Sequence, residues 1–120
     1  MRGLPGDFSS PSRFVRVAFL QNTAPVKETA LETVTQAFHL LNNFDIPIGM
    51  QFAKGEEVVD IPSATHITVA SDLSGHKLYF RTLHNCEIRC IDLNRINFKK
   101  TGYVCKPLDK VKAETIHQIF

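Results

Sequence analysis

Three runs that alternate with a period of two constrain this chain more than anything else in it. Over 65–71, Ile67 and Val69 alternate with His66, Thr68 and Ala70. Over 77–84, Leu78 and Phe80 alternate with Tyr79 and Arg81, and over 87–93 Ile91 and Leu93 alternate with Cys90 and Asp92. Successive strand side chains leave opposite faces, so this period, carried by β-branched and aromatic residues, predicts strands. Ser74-Gly75 and His84-Asn85 leave room only for hairpin turns, and an antiparallel meander is expected.

The first half of the chain has the helical period instead. Over 11–22, Phe14, Val17 and Ala18 lie on one line, Val15 and Phe19 on another, with Leu20 between them. A helix apolar over most of its circumference is normally covered on several sides, and in an isolated segment part of that surface meets water. Pro25 ends it. A second helix is predicted over 27–43, with Leu31, Val34, Thr35, Phe38 and Leu41 at spacings of three and four and Ala37 and Leu40 widening the stripe. Glu28 and Glu32 near its start suit the positive end of the helix dipole. His39 on this helix has no group in the sequence to orient it and is read as a satisfied or exposed histidine rather than a catalytic one. Helices followed by such strands predict an α+β chain, two helices packed on a meander of about three strands.

The stretch GLPGDFSSPSRFVR, 3–16, precedes all of this. Gly3 to Asp7 reads as a turn in which Pro5 fixes φ and Gly6 is free to take φ > 0. Ser9 and Ser10 offer a cap, and Pro11 suits a first helical turn, where its missing N–H has no partner to lose. Arg13 then falls in that first turn, where the dipole offers a cation nothing. Two readings stand: an exposed arginine whose stem covers apolar surface, or a guanidinium fixed at a site edge, its planar fork holding a carboxylate, an acyl oxygen or a thiolate.

The segment GLPGDFSSPSRFVRVAFLQN resembles the opening of the C-terminal third of the choloylglycine hydrolase family, which includes conjugated bile salt hydrolases and penicillin V acylases. AFHLLNNFDIPIG continues the resemblance, and ATHITVASDLSGHKLYFRTLHNCEIRCIDLNRINF resembles the family's closing strands. An ungapped run this long is far more specific than a short motif. The resemblance implies part of a four-layer αββα sandwich of the N-terminal-nucleophile hydrolase type. In that family a cysteine at the mature N-terminus attacks an amide carbonyl with its own α-amine as base. The arginine of the family's SRF motif lies beside that cysteine, so the carry-over falls on Arg13, in a supporting electrostatic role.

The chain departs from the family at its start, Met1-Arg2, where no thiol stands. The expectation is a C-terminal fragment of a hydrolase acting on linear amide C–N bonds, inactive alone, whose partner is the N-terminal part of the same fold. The completed enzyme would act on a conjugated bile acid or a penicillin V type amide. Missing layers and the apolar first helix predict self-association. The competing class is a stand-alone interaction or regulatory module that uses the long 42–64 connection and an open sheet edge. That connection, punctuated by Pro47, Gly49, Gly55 and Pro62, is read chiefly as a crossover, and its acidic Glu56, Glu57 and Asp60 lack the companions a metal site needs.

Composition sets outer bounds. With 43% hydrophobic and 22% charged residues over 120, the chain suits one modest globular core. A net charge of +2 argues for neither nucleic acid nor an anionic membrane as partner, and no apolar run approaches the roughly 20 residues that span a bilayer. As written, without a signal-peptide core, the chain is expected in the cytoplasm; the N-terminus of the parent enzyme would decide whether that enzyme is exported. Cys86, Cys90 and Cys105 lack zinc-site spacing and would need His76 or His84 to converge with them, so they are read as small buried thiols, with no metal or cofactor expected. The resemblance fades past Phe98, which divides the chain into a hydrolase-like part, 1–98, and a basic tail, 99–120, carrying Lys99, Lys100, Lys106, Lys110 and Lys112. Leu108, Val111, Ile116 and Ile119 suggest a short helix there.

Overall fold

Helix α1, Ser10–Thr23, starts as Pro11 dictates and stops where Pro25 approaches, with the Ala24 N–H donating to Leu20 O at 2.9 Å. The computed structural model describes residues 3–50, 52–57 and 64–120. Helix α2 is Ala30–Leu41, followed by a 3-10 turn, Asn42–Phe44. It begins three residues later than predicted because Thr29 caps it. Glu32 N–H donates to Thr29 Oγ1 at 3.2 Å, and the Glu32 carboxylate accepts from Thr29 N–H at 3.1 Å. This capping box satisfies two orphan donors at once. The Thr29 hydroxyl, and after it the Thr29 amide, hold the Glu32 carboxyl below its ordinary range.

The chain divides into two compact units, Met1–Ala64 and Thr65–Phe120. In the first, the α2 stripe buries Val34 and Phe38, and Phe44 closes the core beyond it. Leu31, expected on the same stripe, is 70% exposed. It lies on the helix's opening turn. On α1, Phe14, Val15 and Val17 are exposed, the open apolar surface expected of that helix.

The second unit is the antiparallel meander in the order β1-β2-β3, with β1 Ile67–Asp72, β2 Lys77–Thr82 and β3 Asn85–Asp92. The loop between β1 and β2 is four residues, 73–76. It is fixed by Asp72, whose carboxylate accepts the Gly75 N–H at 2.8 Å. A Cβ on Gly75 would run into that carboxylate, so the site takes no other residue without rearrangement. The second turn falls on Leu83 and His84, one residue before the expected His84-Asn85, and a bulge between Phe80 and Thr82 shifts the register there. Such an irregularity adds a residue to one strand and cannot be seen in an alternation pattern.

Residues directly opposite in a ladder share a face. Val69, Phe80 and Arg89 therefore form one row and Ser71, Leu78 and Ile91 the next. Phe80 is buried on this face, while Ile67 and Val69 on the edge strand remain exposed. Leu108 and Asp109 of the tail account for the difference. Arg89 Nη1 donates to Leu108 O at 2.7 Å and to Asp109 Oδ1 at 2.8 Å, Nη2 donates to Thr82 Oγ1 at 3.2 Å, and the guanidinium lies 4.8 Å from the centre of the Phe80 ring. The tail is thus held over β2 and β3. Thr82 first, against the cost of burial, and then Arg89 keep the Asp109 carboxyl below its ordinary range.

Two further expectations fail. No helix forms over 108–119, where Leu108, Val111, Ile116 and Ile119 are all exposed. Their positions fit one helical face, but the segment bends at 108 and 110–113 instead, with the Leu108 carbonyl and the Asp109 carboxylate taken by Arg89. The cysteines are not buried either: Cys86, Cys90 and Cys105 are all exposed and in no disulfide. Cys86 and Cys90 stand on β3, and the Cys86 N–H donates to the Glu114 carboxylate of the tail at 2.8 Å.

Candidate functional site

The site is built on the first turn of α1 and the loop before it. Residues 3–9 form no hydrogen-bonded turn, and the glycine with positive φ is Gly3, at 93°, rather than Gly6. Asp7 organises the segment instead. Its carboxylate accepts the Ser9 N–H at 2.8 Å and the Ser12 hydroxyl at 2.6 Å, and Ser9 Oγ donates to Ser12 Oγ at 3.1 Å. Ser9, at the N-cap, makes no side-chain cap bond of its own. Ser12 is buried, which puts a polar side chain inside with its partner already supplied.

The Ser12 hydroxyl first, then the Ser9 side chain and amide, lower the Asp7 pKa from 3.8 to about 2. A carboxyl whose folded pKa is depressed stabilises the fold above its unfolded pKa and loses that contribution as pH falls through the folded value. The advantage of the native protein over Asp7→Asn is therefore expected in full at pH 6 and to shrink between about pH 4 and pH 2. Thermal melts of both proteins at pH 6, 4 and 2.5 read it. A gap that stays constant across these values would show that the carboxylate charge is irrelevant to the loop.

Arg13 leaves this turn half-buried, its N–H bonded to Ser9 O at 3.0 Å. Together with Ser10, Phe14 and Val17 of α1, Leu41 at the end of α2 and Phe44 of the 3-10 turn, it lines an open cavity of about 350 Å³. The walls are largely apolar and the guanidinium is the one charged group among the described lining residues. Arginine stays protonated throughout the physiological range, so the cavity offers a fixed cation and directional donors beside apolar surface. That combination suits an amphipathic ligand with an apolar body and an anionic or carbonyl oxygen.

Sequence reasoning missed Arg16. Its Nη1 donates to Pro5 O at 2.9 Å and Asp7 O at 2.6 Å, and its guanidinium carbon lies 5.5 Å from the centre of the Phe44 ring. The only signal was an arginine three residues after another on a helix beginning at a loop, which is too common to be informative. His39 is exposed and lines a separate open cavity of about 370 Å³ with Lys27, Leu31, Glu32, Thr35 and Gln36; it does not join Arg13 in its cavity. Glu56 is taken up by its own turn, accepting the Ala53 N–H at 3.0 Å, while Asp60, Pro62 and the Met1-Arg2 start lie outside the described residues. Among the described residues no three His, Cys, Asp or Glu side chains group as metal ligands, and no helix is long and apolar enough to cross a membrane.

The linear amide C–N hydrolases of the choloylglycine hydrolase family match residues 1–106, eight residues beyond the point where the resemblance was expected to fade. The bile salt hydrolase/transferase of Lactiplantibacillus plantarum is 33% identical over 107 residues, 88% of this chain and 32% of that protein. A crystal structure of a mutant conjugated bile acid hydrolase from Clostridium perfringens superposes with a TM-score of 0.70 at 30% identity, over 98% of this chain and 34% of that one. The penicillin V acylase of Agrobacterium tumefaciens shares the fold, with a TM-score of 0.63 at 22% identity over 78% of this chain and 28% of that one. The chain spans about a third or less of the length of these relatives.

Proposed function

The chain belongs to the choloylglycine hydrolase family of linear amide C–N hydrolases, and on that premise we propose that its 120 residues supply the C-terminal part of such an enzyme, with Arg13 at the rim of the acyl-amide site. The observation that carries this reading is the position of Arg13, the one charged group among the described lining residues of an apolar cavity built by α1, the end of α2 and the 3-10 turn after it. An acyl amide with a large apolar body, such as a conjugated bile acid or a penicillin V type amide, matches that mixture of surface and charge.

In this reading the guanidinium favours a neighbouring thiolate and holds the amide oxygen as charge gathers on it. The thiolate attacks the carbonyl carbon, the C–N bond breaks, the amine leaves with a proton, and water releases the acyl group as a carboxylic acid. The nucleophile comes from an N-terminal segment of the fold, since no lining residue described in the cavity is a cysteine. Phe14, Val15 and Val17, exposed on α1, form apolar surface for such a segment to cover, and without it the chain self-associates.

The test is release of glycine or taurine from conjugated bile acids, and of the acyl group from penicillin V, by the purified chain. It is run alone and with the N-terminal segment of the Lactiplantibacillus plantarum relative added. No turnover alone and turnover on addition are expected. Turnover by the chain alone that Arg13→Ala abolishes would place a nucleophile within these 120 residues and overturn the proposal.

A further inference from the structure

We propose that Arg16 is the positioning residue of this site, clamping the 5–9 loop and the Phe44 ring so that Arg13 is held at the cavity; the inference rests on the reading of Arg13 as the site's cation. Side chains on a helix lean toward its N-terminus, so residue 16 reaches back over the turn that carries Ser12 and Arg13. Its Nη1 there bridges Pro5 O and Asp7 O, while the guanidinium carbon lies over the Phe44 ring, 5.5 Å from its centre. Phe44 is also a wall of the cavity that Arg13 lines. One side chain therefore fixes the loop behind Arg13 and the wall beside it.

Chemistry explains why arginine stands there. Two carbonyl oxygens and an aromatic face must be satisfied by one group, and a planar fork can donate in its own plane while stacking with its face. Lysine keeps the charge and has donors for both carbonyls, but it lacks the delocalised guanidinium that lies over the ring while one of its nitrogens donates, so it cannot hold the carbonyls and the ring together as well. Asp7 reinforces the arrangement from the other side. Its carbonyl goes to Arg16 while its carboxylate goes to Ser12 and Ser9. The loop is thus tied to α1 at two places one turn apart, with Arg13 between them in sequence.

The test measures Arg13 itself in the 120-residue chain. Phenylglyoxal modifies accessible guanidinium groups, and the rate at each arginine is read by mass spectrometry after digestion. Hydrogen exchange of the α2 amides in the same samples reports whether the first unit is still folded. In Arg16→Lys, modification of Arg13 is expected to accelerate several-fold with α2 protection unchanged. An unchanged Arg13 rate in a folded Arg16→Lys protein would overturn the inference. If Arg16→Lys also loses α2 protection, Arg16→Gln decides, because its neutral, shorter side chain removes the clamp without leaving an unpaired charge behind. A faster Arg13 in folded Arg16→Gln protein supports the clamp, and an unchanged one overturns it.

Binding of a glycine-conjugated bile acid separates this inference from the functional reading. Native protein that binds it, with affinity lowered several-fold by Arg16→Lys, supports both. Native protein that fails to bind, while the Arg13 rate still depends on Arg16, leaves the clamp standing and removes the ligand. Binding by native protein that Arg16→Lys leaves unaltered, together with an unaltered Arg13 rate, overturns the clamp and leaves the site.

Discussion

Replacing Arg13 by alanine is expected to lower kcat of the completed amide hydrolase by about 10²–10³-fold, the loss found when one preorganised group facing developing charge is removed. The argument rests on where the guanidinium stands. It is half-buried beside Phe14, Val17, Leu41 and Phe44, and charge interactions beside apolar walls are less screened than in water. If the interaction strengthens as charge moves to the amide oxygen, kcat and kcat/KM fall together. If Arg13 only anchors an anionic end of the substrate, KM rises and kcat is untouched. Arg13→Lys should lose less than Arg13→Ala, since it keeps the charge and gives up the fork. Steady-state kinetics of the three proteins, each completed by the same N-terminal segment, decide between these roles. An Arg13→Ala protein with native kcat and native KM would remove this residue from the site.

The strands were legible in the sequence because a period of two is a local property, and β1, β2 and β3 fall within two or three residues of their predicted bounds. What covers them was not. The burial of Phe80 depends on a guanidinium three positions before the end of β3 and on residues 108 and 109 of the tail, a contact set by distant pairing. The same contact holds residues 108 and 109 in an irregular, bent segment where apolar spacing suggested a helix. Arg13 could be singled out because a first-turn arginine is electrostatically unfavoured at that helix end, which makes it a local anomaly. Arg16 breaks no local rule, and its role exists only once the chain has turned back at Pro5 and Phe44 has come alongside. The cysteines fail for a related reason. A thiol's preference for burial is an average, and it does not decide the exposure of any one position, such as 86 or 90 on β3.

Phe38→Ala should have the largest effect on stability of any substitution in the first unit, about 3–5 kcal/mol, the range for truncating a buried aromatic ring. At 2% exposure Phe38 is the one large side chain among the described residues that is essentially sealed from water, one turn after buried Val34 on α2. The unit spans Met1–Ala64, and a domain of about 60 residues buries only about 60% of the surface its unfolded chain exposes. Total stability there is therefore near the low end of the usual 5–15 kcal/mol, and a loss of this size removes most of it. The contrast within the same helix is Leu31→Ala. Both residues were placed on one apolar stripe by their spacing, but Leu31 is 70% exposed, so its truncation should move stability by no more than about 0.5 kcal/mol. Hydrogen exchange at the α2 amides reads both: protection collapses in Phe38→Ala and survives in Leu31→Ala. Equal losses in the two would mean that the whole stripe is covered in solution. The cover would then lie outside the first unit, and repeating the exchange at low and high protein concentration would identify a second copy by the dependence of protection on concentration.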